Sequence, residues 1–109
     1  MRVLKFVVEG QIIKRDDHCD FSNIVAGSSG YLVANFAFSE AWNKCSKVVE
    51  FLSESGEELD ALVINRDNSC NIPDNVSKKH AFYIKIYGKR DGYIITTNKI
   101  LIKQYGGEK

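Results

Sequence analysis

The residues of this chain with the most chemical potential are concentrated in Asp16-Asp17-His18-Cys19-Asp20, a run of metal-ligand and acid-base side chains. In an extended segment neighbouring side chains point to opposite sides, and a structural zinc needs four ligands at ordered spacing. Only Cys45, Cys70 and His80 remain as remote Cys or His donors. The run therefore reads as a solvated loop, and no metal or cofactor is expected. Cys19 stands beside His18 without a motif that would orient the pair for nucleophilic attack. No glycine-rich phosphate loop follows a strand and opens a helix, and Ser28-Ser29 between Gly27 and Gly30 reads as a loop. No catalytic residue emerges, and the chain is read as not an enzyme.

The order Cys19, Trp42, Cys70 invites comparison with antibody domains, where a disulfide between two sheets packs on a tryptophan. The spacing opposes it: Trp42 lies too far after Cys19, and the residue two before Cys70 is Asn68 rather than the corner tyrosine. Free thiols are expected for all three cysteines, an odd set.

One constellation remains. If Phe82, Ile84 and Ile86 face a core, Tyr83, Lys85 and Tyr87 face outward, and the same alternation turns Leu101, Lys103 and Tyr105 outward on a nearby strand. Tyr83, Lys85, Tyr87, Lys103 and Tyr105 form the candidate interface. Tyrosines interleaved with lysines can stack bases and hold phosphates. Net charge is only +1, however, and tyrosine is enriched at protein interfaces, so a protein contact is preferred and nucleic acid is disfavoured.

The elements that must position these residues are strands. Tyr31–Phe38 alternates, with Leu32, Ala34, Phe36 and Phe38 on one face; Ser39-Glu40 breaks the run, and Trp42, the only tryptophan, follows as a plug. Residues 2–9 alternate and turn at Gly10-Gln11 into Ile12-Ile13, as a hairpin or bent strand. Residues 15–30 are mostly loop with a short strand at 21–25. Further strands are expected at 46–52, at 58–65 (an apolar run suited to burial on both faces), at 70–72 before Pro73, at 80–88, at 93–97 and at 99–105. Asp91-Gly92 marks a hairpin and 74–79 a single helical turn. Residues 106–109 read as a flexible tail. Seven to nine short strands without helical period or repeat predict one all-β domain over 1–109. It is an antiparallel β-sandwich of Ig-like or related Greek-key topology, with a small closed barrel of OB type as the alternative.

Several short motifs, in order, resemble a domain that recurs in tail and baseplate proteins of bacteriophages. They are Leu4-Lys5-Phe6-x-Val8-x-Gly10-Gln11, similar to the start of the amino-terminal domain of baseplate upper proteins, and Phe36-x-Phe38-Ser39-Glu40-x-Trp42. Cys70-Asn71-Ile72-Pro73, the strand Phe82 to Gly88, and Thr96-Thr97-Asn98 follow. The resemblance covers nearly the whole chain and carries no catalytic residue. It implies a non-enzymatic virion structural protein, a tail or baseplate adaptor or decoration domain, with other virion proteins or further copies of itself as partners. It also implies synthesis in a bacterial host cytoplasm and residence in the virion. A small phage-encoded regulatory or inhibitor protein, or a single-stranded nucleic-acid-binding protein, is the alternative.

Composition fits a globular chain of this kind. Charged residues make up 27% in near balance, and 109 residues suffice for one hydrophobic core. No stretch approaches the ~18 apolar residues of a membrane span, so no membrane partner is expected. Asn75-Val76-Ser77 is a glycosylation sequon only in a secreted eukaryotic chain.

Overall fold

A computed structural model covers residues 1–109. Nine strands form two sheets: β1 (Arg2–Glu9), β2 (Ile12–Arg15), β3 (Leu32–Phe38), β4 (Ser46–Leu52), β5 (Glu58–Val63), β6 (Ser69–Asn71), β7 (Ala81–Arg90), β8 (Tyr93–Thr96) and β9 (Ile100–Lys103). The only α-helical piece is the single turn α1 (Asp74–Ser77). The first sheet has the order β2-β1-β3-β6, and the second runs β5-β4-β7, with both β8 and β9 paired to β7. The expected all-β sandwich is thus present, as two sheets rather than a closed barrel.

One pair departs from the antiparallel expectation. β1 and β3 run parallel, with Phe6 beside Phe36 and Val8 beside Phe38. A parallel neighbour needs a long return, and residues 16–31 supply it. The expected strand at 21–25 reduces to one bridge, Val25 to Tyr105, because this return segment is held largely by side chains. The Arg2 guanidinium donates to the carbonyls of Asp20, Ser22 and Asn23 at 2.9, 2.6 and 3.2 Å.

The parallel register also aligns aromatic rings. Phe21, Phe6, Phe36, Phe38 and Trp42 follow one another with centroids 5.4, 5.5, 5.9 and 5.3 Å apart. Each such pair adds ~0.5–1.5 kcal/mol beyond the burial of its area. Phe6, Phe36 and Trp42 are fully buried, whereas Phe38, at the strand end, is only partly so. Leu4, Val8 and Ala34 complete this face, against Val49, Phe51, Phe82, Ile84, Ile86 and Ile102 of the other sheet. Trp42 closes one end, on a 3-10 turn at Glu40–Trp42. Its Nε1 donates to the Gly10 carbonyl at 2.7 Å, and the Gly10 N–H donates to Ser39 Oγ at 2.9 Å.

β5 corrects the expectation of burial on both faces. It is the edge strand of its sheet, and Val63 is 73% exposed. Apolar composition alone cannot distinguish a strand covered on two sides from one covered on one side only. The edge is blunted locally: Asp60 Oδ1 accepts the Ala61 N–H at 2.9 Å, and Asn75 Nδ2 donates to the Leu59 carbonyl at 2.8 Å. Such capping removes unpaired backbone groups that would template another strand.

The opposite edges are stitched across the two sheets. The Asn98 side chain accepts the Ile13 N–H at 2.8 Å and donates to the Ile13 carbonyl at 3.4 Å, while its own N–H donates to the Gln11 carbonyl at 3.1 Å. Gln11 Nε2 reaches the Thr96 carbonyl at 3.3 Å, and Arg15 Nη2 the Leu101 carbonyl at 2.8 Å.

The tail expected to be flexible is docked instead. The His80 N–H donates to the Glu108 carbonyl at 2.9 Å, and the Glu108 N–H to the Lys78 carbonyl at 2.8 Å. Gly107, at φ +89°, passes so close that a Cβ there would lie 2.7 Å from His80 N. Glycine spacing signals a bend, but the docking depends on residues almost thirty positions earlier and is invisible in the local sequence.

Candidate interaction surface

The outer face of the five-stranded sheet is built on β7, its central strand. Alternation along Ala81–Arg90 buries Phe82, Ile84, Ile86 and Gly88 and leaves Tyr83, Lys85 and Tyr87 half-buried on the opposite side. Their partial burial comes from strands on both flanks. Across β4, Tyr83 faces Leu52, Lys85 faces Glu50 and Tyr87 faces Val48. On the other flank Tyr83 faces Leu101 of β9, and Tyr87 faces Thr96 of β8. Lys99 Nζ sits 4.4 Å from the centre of the Tyr83 ring, a cation-π contact.

The five candidate residues are only partly brought together. Tyr83, Lys85 and Tyr87 share one strand face, and Lys103 joins it from β9, in phase with Leu101. Tyr105 lies beyond β9, bridged to Val25 and 64% exposed. With Lys103 it borders a shallow cleft lined by Phe21, Ser22, Asn23 and Ile24, a neighbouring surface. The β alternation extrapolated past Lys103 missed this because the chain leaves β7 for the return segment: the Tyr105 N–H donates to the Ile24 carbonyl at 2.7 Å.

Sequence reasoning did not find β4's and β5's contribution to the surface. Val48 and Val63 stand side by side across β4 and β5, in line with Tyr87, while Leu52, itself buried beneath its neighbours, lies in line with Tyr83 and Leu101. Two largely apolar rows therefore flank one charged row, Glu50 and Lys85. The outward valines and Leu52 alternate with Val49 and Phe51, a signal legible once the inward face is known.

Electrostatics on this face are unbalanced. Burial, followed by a hydrogen bond to and repulsion from Glu58, raises the Glu50 carboxyl above its ordinary range, with Lys85 opposing. The molecule's two ion pairs lie elsewhere, Lys78 with Glu108 and His80 with Glu54.

The other chemistry-bearing groups are dispersed. Cys70 lies in β6 beside Ala34, and burial pushes its thiol up to about 12. Cys45 is buried near Gly88, and Cys19, half-buried in the return loop, accepts the Lys5 N–H at 3.3 Å; all three cysteines are free. Hydrogen bonds from the Ser22 hydroxyl and N–H, with Arg2 nearby, hold the Asp20 carboxyl below the usual range. That carboxylate orders its own loop, and no three His, Cys, Asp or Glu side chains converge on a common point.

Compared with protein-family models, curated proteins and solved structures, the chain gives no match. Its likeness to phage tail and baseplate domains rests on the motifs quoted above.

Proposed function

We propose that this chain is a non-enzymatic structural domain of a phage or prophage virion, a tail or baseplate adaptor or decoration unit. It would be made in the bacterial cytoplasm and would act by holding other virion proteins. The observation that carries this reading is the half-buried Tyr83-Lys85-Tyr87 set on the outer face of the central strand, flanked by Val48, Leu52 and Leu101. Tyrosines on a rigid strand supply contact area at low entropic cost, which suits them to anchor a protein interface. The motifs that carry the phage resemblance serve packing: Gly10, Ser39, Trp42 and Gly88 interlock at one end of the sandwich, and Asn98 joins the two sheets. The resemblance thus supports a scaffold, with function residing on its surface.

The test is a double substitution, Tyr83→Ala with Tyr87→Ala, assayed for capture of phage structural proteins and for self-association. Retention of the parent melting temperature with loss of association is expected. Unchanged association refutes this face as the contact. The rival reading, a single-strand nucleic-acid binder, draws on Lys85 and Lys99 beside the tyrosines. It requires tight oligonucleotide binding that falls steeply with salt.

A further inference from the structure

The outer face of the five-stranded sheet is arranged to complement itself. Its acids, Glu50 and Glu58, lie on β4 and β5; its lysines lie on the other half, Lys85 and Lys89 on β7, Lys99 against the Tyr83 ring and Lys103 on β9. Glu50 and Lys85 are direct cross-strand neighbours, yet no ion pair joins them. Burial and the neighbouring Glu58 carboxyl raise the Glu50 carboxyl above its ordinary range, and Lys85 offsets them only in part.

Resting on the interface reading above, we propose that the partner of this face is a second copy of the chain. The copies would pack sheet against sheet about a two-fold axis lying along the strands between β4 and β7. Such an axis keeps position along the strands and exchanges the two halves of the sheet, so β4 of one copy covers β7 of the other. The observed register then sets every contact: Val48 meets Tyr87, Glu50 meets Lys85, and Leu52 meets Tyr83, each twice by symmetry. Glu58, aligned with Leu52, lies over Leu101 of the second copy, one same-face position along β9 from Lys103. Val48 and Leu52 meet tyrosines, and the half of the sheet that carries the acids meets the half that carries the lysines. An axis across the strands would instead place Glu50 over the half of the sheet that holds Glu50 and Glu58.

The face is small. Four strand positions ~4.8 Å apart and about six residues of ~3.3 Å each give roughly 20 Å by 20 Å. That is at the lower end of specific interfaces, which calls for a reversible dimer rather than a permanent one.

Sedimentation of the purified chain over about 1 µM to 1 mM reads this directly, since a weak interface dissociates within that range. The parent is expected to shift from monomer to dimer. Lys85→Glu alone and Glu50→Lys alone should each remain monomeric at least tenfold further up the series. An equimolar mixture of the two should regain the dimer, because each copy then offers the charge the other needs. Melting curves matching the parent establish that each variant folds; if either does not, Lys103→Glu mixed with Glu58→Lys repeats the exchange at the second pair. A parent that stays monomeric throughout, or a mixture no better than its components, overturns the second-copy assignment. Either result leaves the face open as a contact for a different virion protein. That broader reading falls only if the Tyr83→Ala, Tyr87→Ala protein still binds its phage partner.

Discussion

The Trp42 indole lies so close over Gly88 that a Cβ added at that glycine would sit 2.9 Å from Cζ3 and 3.1 Å from Cys45 Cβ. Gly88 occupies the inward phase of β7, where a side chain would otherwise enter the core. The indole takes that space, and its Nε1 is satisfied by the Gly10 carbonyl.

Gly88→Ala should therefore overpack the site. The ring is fully buried and tied at its nitrogen, so the strain cannot be relieved by simple rotation. A loss of ~1–3 kcal/mol is expected, read as a lower denaturant midpoint with unchanged slope. A parent-like midpoint would show that the indole can retreat and that the fit at this end is looser than its geometry implies.

Asn98→Ala should uncouple the edges of the two sheets. The substitution leaves the Ile13 N–H without its acceptor, at a cost of ~1–3 kcal/mol. Amide exchange should accelerate locally at Ile13 before any global change. Equal protection at Ile13 in both proteins would mean that water or another group replaces the amide.

Cys70 should make stability sensitive to alkali. Its thiol titrates at about 12 when folded against 9.0 ordinarily, because burial disfavours the thiolate. A folded pKa raised above the unfolded one contributes stability that is fully present below pH 9 and is lost as pH rises towards 12. Under reducing conditions, Cys70→Ala should therefore remove part of the stability loss over that interval. Identical pH profiles for parent and variant would contradict a buried, neutral thiol. In the native protein at neutral pH, an alkylating reagent should modify Cys19 before Cys70, since the latter is both buried and protonated.

The amino-acid sequence by itself determined the class of the fold and most of its strands. Period-two alternation depends only on the extended backbone, so Leu4, Phe6 and Val8 or Phe82, Ile84 and Ile86 declare a shared face without knowledge of the partner. The Gly10-Gln11 and Asp91-Gly92 turns are local chemistry and were legible for the same reason. Tyr83, Lys85 and Tyr87 followed from alternation on a single strand, and the structure keeps them on one face.

Tertiary structure alone decided whatever depends on which strands are neighbours. Alternation carries no information about pairing, so it could not reveal that β1 runs parallel to β3, or that β5 stands at an edge with Val63 bare. For the same reason the row of Val48, Glu50 and Leu52 beside Tyr87, Lys85 and Tyr83 exists only in the β4–β7 register. Asn98 binding Ile13, and Glu108 docked beside His80, join residues far apart in the chain through directional hydrogen bonds. Such bonds require both partners to be held within about 3 Å, and only the assembled sandwich brings them there.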